Sequence, residues 1–436
     1  MRIKKIISVA FLLLCSLVWA QNDSIMPLRE VVVSDARLWS EANILNKQKL
    51  NDSVIALHSA SLTQLLQFNS LISFKQNGYG MVSSPTYRGT TAQQTAVIWN
   101  GININSQFNG QTDFNTLNAW NFDEVVLRAG GGSVAYGSSA IGGSVHLNNQ
   151  MVFKPHNQHK IQLNYGSFET SGLNYKLSTG HEHWSAGGSV SMNRSENDYP
   201  LLGTSGLKNQ NGQFQNVGLN VQAGYKINPR HLLQFFAQTY DAQRHFTGPL
   251  GSSPKSVYRD INQRNLLQWS YEKNRFRSQL KSVFLTEQYH YYPDFSVPFF
   301  QSSKAETFIG QSDLSYQLWP KVQLQSTVSF TQTQGSGSSI QKSKREILAG
   351  ALLTKINWSS KLVSELSIRQ ENSSSYQSPF LFSAGTILKI FKGYSVRANV
   401  SRNFRMPTFN DLFWQPGGNP NLKAEHSLQF ELGQDF

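Results

Sequence analysis

Residues 122–148 read FDEVVLRAGGGSVAYGSSAIGGSVHLN. A short apolar run, Val125 to Leu127, leads into a glycine-dense segment and then into a second apolar strand. Gly130, Gly131, Gly132, Gly137, Gly142 and Gly143 permit turns and close backbone approach that side chains would block. A phosphate cradle would need a helix opening directly from the glycines, and the pattern predicts none there.

The segment resembles the end of the plug domain of TonB-dependent outer-membrane receptors. Tyr136, Gly137, Ala140, Ile141, Gly142 and Gly143 match that pattern in place. Arg128-Ala129-Gly130 departs from it, with an extra residue before the glycine and no proline after. Upstream, Arg88-Gly89 resembles the plug's Arg-Gly element, and Ala96 to Ile102 its strand and turn, with Asn100 before Gly101 where an acid is usual. Asn-Gly is a strong turn signal in its own right. Near the other end, Asn403 to Leu412 and Gly418 to Glu425 resemble a barrel motif of the same family, with Ala424 in place of a proline. The resemblance covers nearly the whole chain. It implies a mainly β protein, a transmembrane antiparallel β-barrel enclosing a small α/β plug. It also implies energised uptake of a scarce nutrient such as cobalamin or a ferric siderophore. The implied partners are a TonB-type periplasmic energy-coupling protein, outer-membrane lipid and lipopolysaccharide, with no nucleic acid, no cofactor and no enzymatic activity.

The ends and the composition agree with that reading. Arg2, Lys4 and Lys5, an apolar run over 6–18 and the small-residue end at Ala20 read as a secretory signal peptide over 1–20. The run is short for a spanning helix, which needs about 20 residues. Cys15 is the only cysteine, so the processed chain has neither disulfide nor thiol chemistry. Aromatics make up 12 % and charged residues only 15 % of the chain, with a mean hydropathy of −0.38. Few charges among many amides, hydroxyls and rings suit a barrel with a lipid-facing outside and a wet inside. The net charge of +13 comes from basic residues scattered along the sequence. It points to lipopolysaccharide phosphates or an anionic ligand rather than to nucleic acid.

Residues 21–45 form a polar leader. Within it Leu28, Arg29, Glu30, Val31, Val32 and Val33 resemble the TonB box, a strand gripped by backbone pairing, and are expected to be flexible at rest. The same run could be an ordinary first strand of the plug. Residues 46–150 read as that plug, with helical spacing over 54–57 and 61–66, Ser59 or Ser61 as cap, and strands near 71–75, 84–88, 95–99 and 123–127. Residues 157–436 read as a partial barrel. Apolar and polar residues alternate with period two, as in Ile161, Leu163 and Tyr165, or Val217, Leu219 and Val221. Tight turns are expected near 226–230, 271–275, 318–321, 357–361 and 391–394. Long links are expected at 194–213, 244–264, 289–304, 333–344 and 404–425. This template yields about fourteen strands, against about 22 in plugged transporters. The chain is therefore expected to be a C-terminally truncated receptor whose sheet is an open arc.

Ligand contacts are expected from two plug apices: Tyr79, Met81 and Ser83 in NGYGMVSS, and Gln107, Phe108 and Asn109 in NSQFNGQ. A barrel loop adds Tyr291 and Tyr292, though these rings could equally belong to an interfacial girdle. Arg88 is expected to be buried and paired at the plug–barrel contact. Gly89, Asn100, Gly101, Tyr136, Gly137, Gly142 and Gly143 are expected to shape the plug. His156, His159, His181 and His183 sit at rim-like positions and read as solvated rather than as metal ligands. No Ser-His-Asp order or His-Glu-x-x-His pattern appears. A passive porin, a surface adhesin or a non-functional truncated receptor are the competing readings; the first two call for neither box nor plug.

Overall fold

The computed structural model describes residues 31–33, 44–58, 61–76, 78–249 and 252–436. The expected signal peptide and most of the leader lie outside these residues. After a short strand, Lys47–Lys49, the plug forms two short helices, Asp52–Leu57 and Leu62–Asn69. Ser61 caps the second, its hydroxyl accepting from the Gln64 N–H, and Leu62, Leu65 and Leu66 are fully buried. A five-stranded mixed sheet follows, in the order Lys47–Lys49, Glu124–Ala129, Gly143–Asn148, Thr95–Trp99, Ile102–Asn103. A separate ladder pairs Ile72–Gln76 with Ser83–Tyr87.

The stretch 122–148 supplies the two central strands of that sheet. Glu124–Ala129 and Gly143–Asn148 pair antiparallel, while Gly143–Asn148 runs parallel to Thr95–Trp99. The glycines are needed for contact. A Cβ on Gly142 would lie 2.5 Å from the Tyr87 carbonyl oxygen, and one on Gly143 would lie 2.7 Å from that of Arg128. Between the strands the chain makes one helical turn, Ser133–Tyr136, where none was expected. Four residues are too few for apolar periodicity to register. Asn100 and Gly101 both adopt positive φ, 48° and 84°, the signature of a type I′ hairpin turn. The Asn100 amide is buried, bonded to Asn149 through both its oxygen and its nitrogen.

From His156 the chain is an antiparallel meander of fourteen strands, each paired with its sequence neighbours. They run from His156–Tyr165 and Ser171–Gly180 to Tyr394–Arg405 and Glu425–Asp435. Among the described residues the first and last are not paired with each other, so the sheet is open, as the strand count implied. Alternation sorts the faces. Leu219, Phe235, Leu267, Leu280 and Leu314 are exposed outside; Asn220, Gln234, Gln268 and Gln279 are buried against the plug.

Connections alternate too. One rim carries the links 181–183, 229–230, 274–275, 320–321, 358–361 and 392–393; the other carries 196–213, 246–256, 293–300 and 406–424. The expected long link at 333–344 is absent. Val322–Gly337 and Ile340–Asn357 continue through it, leaving only 338–339 as a turn. The expected links at 244–264 and 289–304 are shortened in the same way, because Val257–Lys273 and Phe276–Tyr292 extend into them. Strand ends that rise past an apolar band are polar on both faces, and in sequence they look like loop.

The plug core reaches the wall. Phe236, Leu266 and Val283 of the barrel belong to the same buried cluster as Trp99, Phe114, Val145 and Leu147 of the plug. Beside it, plug and wall also enclose a cavity lined by Tyr136, Ile309, Arg369 and Tyr376.

Candidate functional site

Both plug apices sit at the long-link rim. Tyr79 packs edge-on against Phe214 at 5.2 Å, and its carbonyl accepts from Asn197 near the start of the 196–213 link. Burial raises the pKa of the Tyr79 phenol. Met81 and Ser83, beside it, face inward. Met81 is buried and its carbonyl accepts from the Asn115 amide. The buried Ser83 hydroxyl accepts from Thr63 at 2.8 Å, and its N–H donates to Asp113. Ser83 opens a strand, and the pleat turns its side chain into the plug.

The second apex is held from two directions. The Ser106 hydroxyl and the Gln107 N–H both donate to the Glu287 carboxylate. From the opposite side, the N–H groups of Phe409 and Asn410 donate to the carbonyls of Gln107 and Phe108 at 2.9 and 3.2 Å. Phe108 is only 1 % exposed and packs among Tyr289, Ala305, Ile340 and Phe409. It is a peg in the barrel wall rather than an open ligand surface. Gln107 and Asn109 remain open and line a cavity of about 100 Å³ with Tyr258, Asp260, Arg264, Glu287 and Tyr289. A neighbouring cavity of about 130 Å³ shares Asn105, Ser106, Gln107, Leu285 and Thr307 with it and reaches down to Gly137 and Ser139.

Tyr291 and Tyr292 lie in the strand Phe276–Tyr292, not in a loop. Tyr291 shares the inward face with Val283, Glu287 and Tyr289 and meets Tyr258 at 6.1 Å. Tyr292 takes the outward face with the exposed Phe284 and stacks on Phe300 at 5.1 Å. Period two separates the pair.

An ionic bridge fastens plug to wall at the cavity's edge, where Asp113 and Asp260 belong to its lining. Arg244 bonds Asp113 of the plug and Asp260 of the neighbouring strand, each at 2.6 Å, with the guanidinium 4 % exposed. Arg345 has no carboxylate on it among the described residues. It bonds the Pro407 carbonyl at 2.7 Å and the Ser375 hydroxyl at 2.8 Å, and lies 4.8 Å from the Phe409 ring centre. It thus fixes the start of the 406–424 link. Sequence reading missed Arg244, Asp260, Arg264, Glu287 and Arg345. The available signal was a charge at inward parity in a period-two strand, which is indistinguishable there from a strand end in solvent.

Arg88 pairs with Glu431 of the last strand at 2.8 Å, as expected, but is 46 % exposed rather than buried. It sits at a plug turn with φ of 55°, beside Gly89, where its side chain can lean along the wall. The neighbouring Tyr87 phenol is pushed up to about 12 by burial, with Arg88 lowering it and Glu431 raising it. The Tyr136 ring meets His146 edge-on at 4.7 Å, and Gly137 ends its turn with φ of 77°. His156 bonds the Ser178 hydroxyl and the Lys154 carbonyl, and His159 the Tyr175 hydroxyl.

At the short-turn rim, Val31–Val33 pairs antiparallel with Gln150–Val152. The flexible strand expected here is therefore stowed, at least over these three residues; Leu28, Arg29 and Glu30 lie outside the described residues. A β-prone run finds an unpaired edge beside it and takes it. Val152 donates its N–H to Ser185, and Gln222 reaches the Gln150 carbonyl, which places this pair against the barrel's short-turn end.

Two family models match the sequence. The TonB-dependent Receptor Plug Domain covers residues 43–144, and the TonB dependent receptor-like beta-barrel covers 163–436. The chain belongs to the TonB-dependent receptor family. It is 24 % identical over 98 % of its length to the vitamin B12 transporter BtuB of Photobacterium profundum, spanning 71 % of that protein. It is 25 % identical over 82 % of its length to BtuB of Vibrio vulnificus, spanning 59 % of it. Its fold is similar to that of the siderophore receptor PirA from Acinetobacter baumannii, with a TM-score of 0.73 at 14 % identity, over 89 % of this chain and 68 % of that one. Members of the family are transporters and receptors rather than enzymes.

Proposed function

We propose that this TonB-dependent receptor lies in the outer membrane and takes up a scarce, bulky nutrient of the cobalamin or ferric-siderophore class, with work supplied by a TonB-type periplasmic protein. One observation carries the reading: the plug presents Tyr79, Gln107 and Asn109 at the long-link rim and the strand Val31–Val33 at the opposite one. Binding on one side and pulling on the other need that polarity. Leu28 to Val33 act as the gripped strand, exchanging the edge at Gln150–Val152 for an edge of the partner. Tyr79, Gln107, Asn109 and Tyr291 contact ligand, since amides and rings suit a large polar molecule. The two BtuB relatives favour a corrinoid; the fold likeness to PirA leaves a ferric siderophore open.

Uptake of radiolabelled cyanocobalamin and of a ferric siderophore into whole cells, with and without the energy-coupling partner, tests the proposal. One of the two is expected to enter only when the partner is present, and Val32→Pro is expected to stop its entry while leaving surface binding intact. Uptake that ignores both changes would sink the reading.

A further inference from the structure

The formal charge of +13 is scattered in sequence but gathered in space. Five consecutive links of the short-turn rim, 229–230, 274–275, 320–321, 358–361 and 392–393, each contain a lysine or arginine and no acid. Arg230, Lys273, Arg275, Lys321, Lys361 and Lys392 are exposed, and among the described residues none has a carboxylate partner. The acid nearest to them in sequence, Glu272, is taken by Arg277 at 2.9 Å. The opposite rim is different. There Lys208, Lys255, Arg259, Lys304 and Lys344 each face an aspartate or glutamate within 3.4 Å. Among the described residues Lys342 and Lys423 of the long-link rim also lack a carboxylate, but most of the uncompensated positive charge gathers at the short-turn end.

Exposed rings accompany that charge. Tyr225, Trp319, Trp358 and Phe391 are 55, 60, 54 and 65 % exposed, and each lies within a few residues of one of these cations. Tyr271 packs on Phe276, and Phe391 on Tyr394. Directly beyond them begins the apolar outer band of Leu233, Phe235, Leu267 and Leu280. Aromatic rings at the edge of an apolar band mark the headgroup level of a bilayer. Lysine and arginine at that level extend their heads to the interface.

We propose that the short-turn rim is a binding collar for anionic phospholipid headgroups, which recruits a shell of phosphatidylglycerol-type lipid around that end of the barrel. The proposal rests on the membrane placement given above. A ring of single cations, each beside an interfacial aromatic, fits many separate monovalent phosphodiesters. An acidic protein would call for one contiguous patch instead. Each cation near an anionic surface contributes favourably, and salt weakens the attraction.

The full chain, reconstituted in phosphatidylcholine vesicles, would be probed with spin-labelled phosphatidylglycerol and spin-labelled phosphatidylcholine. The measured quantity is the motionally restricted fraction of each. Wild-type protein is expected to prefer phosphatidylglycerol by about fivefold at low salt and to lose most of that preference at high salt. The combined variant Arg275→Gln, Lys321→Gln, Lys361→Gln, Lys392→Gln is expected to show almost none, while Lys208→Gln, Lys255→Gln, Lys344→Gln on the other rim keeps it. Restricted lipid without headgroup preference, or a preference that survives the short-turn variant, overturns the collar. Binding of soluble polyglutamate by the wild type alone, without lipid preference, overturns it in favour of an acidic protein. Absence of any restricted lipid instead removes the membrane placement itself.

Discussion

The backbone N–H of Phe409 donates to the carbonyl oxygen of Gln107 at 2.9 Å, so a barrel link and a plug apex share a main-chain hydrogen bond. The ring of Phe409 lies 6.2 Å from that of Phe108, inside a pocket closed by Ala305 and Ile340. The apex that faces the cavity is therefore positioned by the wall as much as by the plug.

Phe108→Ala should release this apex. Emptying a buried aromatic site costs about 3–5 kcal/mol, here charged against docking of 105–111 rather than against the plug core. Hydrogen exchange should accelerate at 105–111 and 409–413 and stay unchanged at the central strands Glu124–Ala129 and Gly143–Asn148. Uniform acceleration throughout the plug would contradict the assignment.

Arg244→Met should be among the most damaging single changes at the interface. It leaves the largely buried Asp113 and Asp260 without their cation, a loss approaching about 3 kcal/mol. Asp113→Asn should cost less, because Arg244 keeps Asp260. Denaturation midpoints in detergent should rank wild type above Asp113→Asn above Arg244→Met.

The 406–424 link should loosen in acid. Asp411 is partly buried, which raises its pKa. The Thr408 N–H and the Arg405 guanidinium outweigh that and hold the carboxyl below the usual range. A depressed folded pKa stabilises fully above the unfolded value near about 4 and stops doing so as pH falls through the folded one. Trp414 fluorescence should therefore be flat above about pH 5 and change below it. Asp411→Asn should remove that transition.

Gly142→Ala should destabilise the plug by about 1–3 kcal/mol, because its Cβ would meet the Tyr87 carbonyl oxygen at 2.5 Å. Gly350→Ala, with open space around its Cβ, is the control and should leave the melting temperature unchanged.

Strands were legible wherever one face is apolar and exposed and the other is polar, because period two then has something to alternate between. Ile161, Leu163 and Tyr165 were readable for that reason, and so was the count of fourteen. The signal fails above the apolar band. The polar ends of Val322–Gly337 and Ile340–Asn357 read as loop, and Tyr291 and Tyr292 as one surface. The apices were located from Gly, Asn and aromatic clustering, but the fate of each side chain was not. Phe108 and Asn109 are adjacent in sequence, yet one is a buried peg and the other lines the cavity. That choice is made by Phe409, some three hundred residues away, and no local pattern encodes it.

The plug has two unlike seams. Along Phe236, Leu266 and Val283 it is welded to the wall by the same apolar core that folds it. Toward Ile309 and Arg369 it borders a cavity of about 130 Å³, with Val134 packed on Tyr376, Leu381 and Phe404 beside it. In the proposed uptake, traction from the N-terminal strand would meet apolar contact along the first seam and the cavity beside the second. The cavity gives the plug room to shift on one side, and the apolar seam resists that shift on the other.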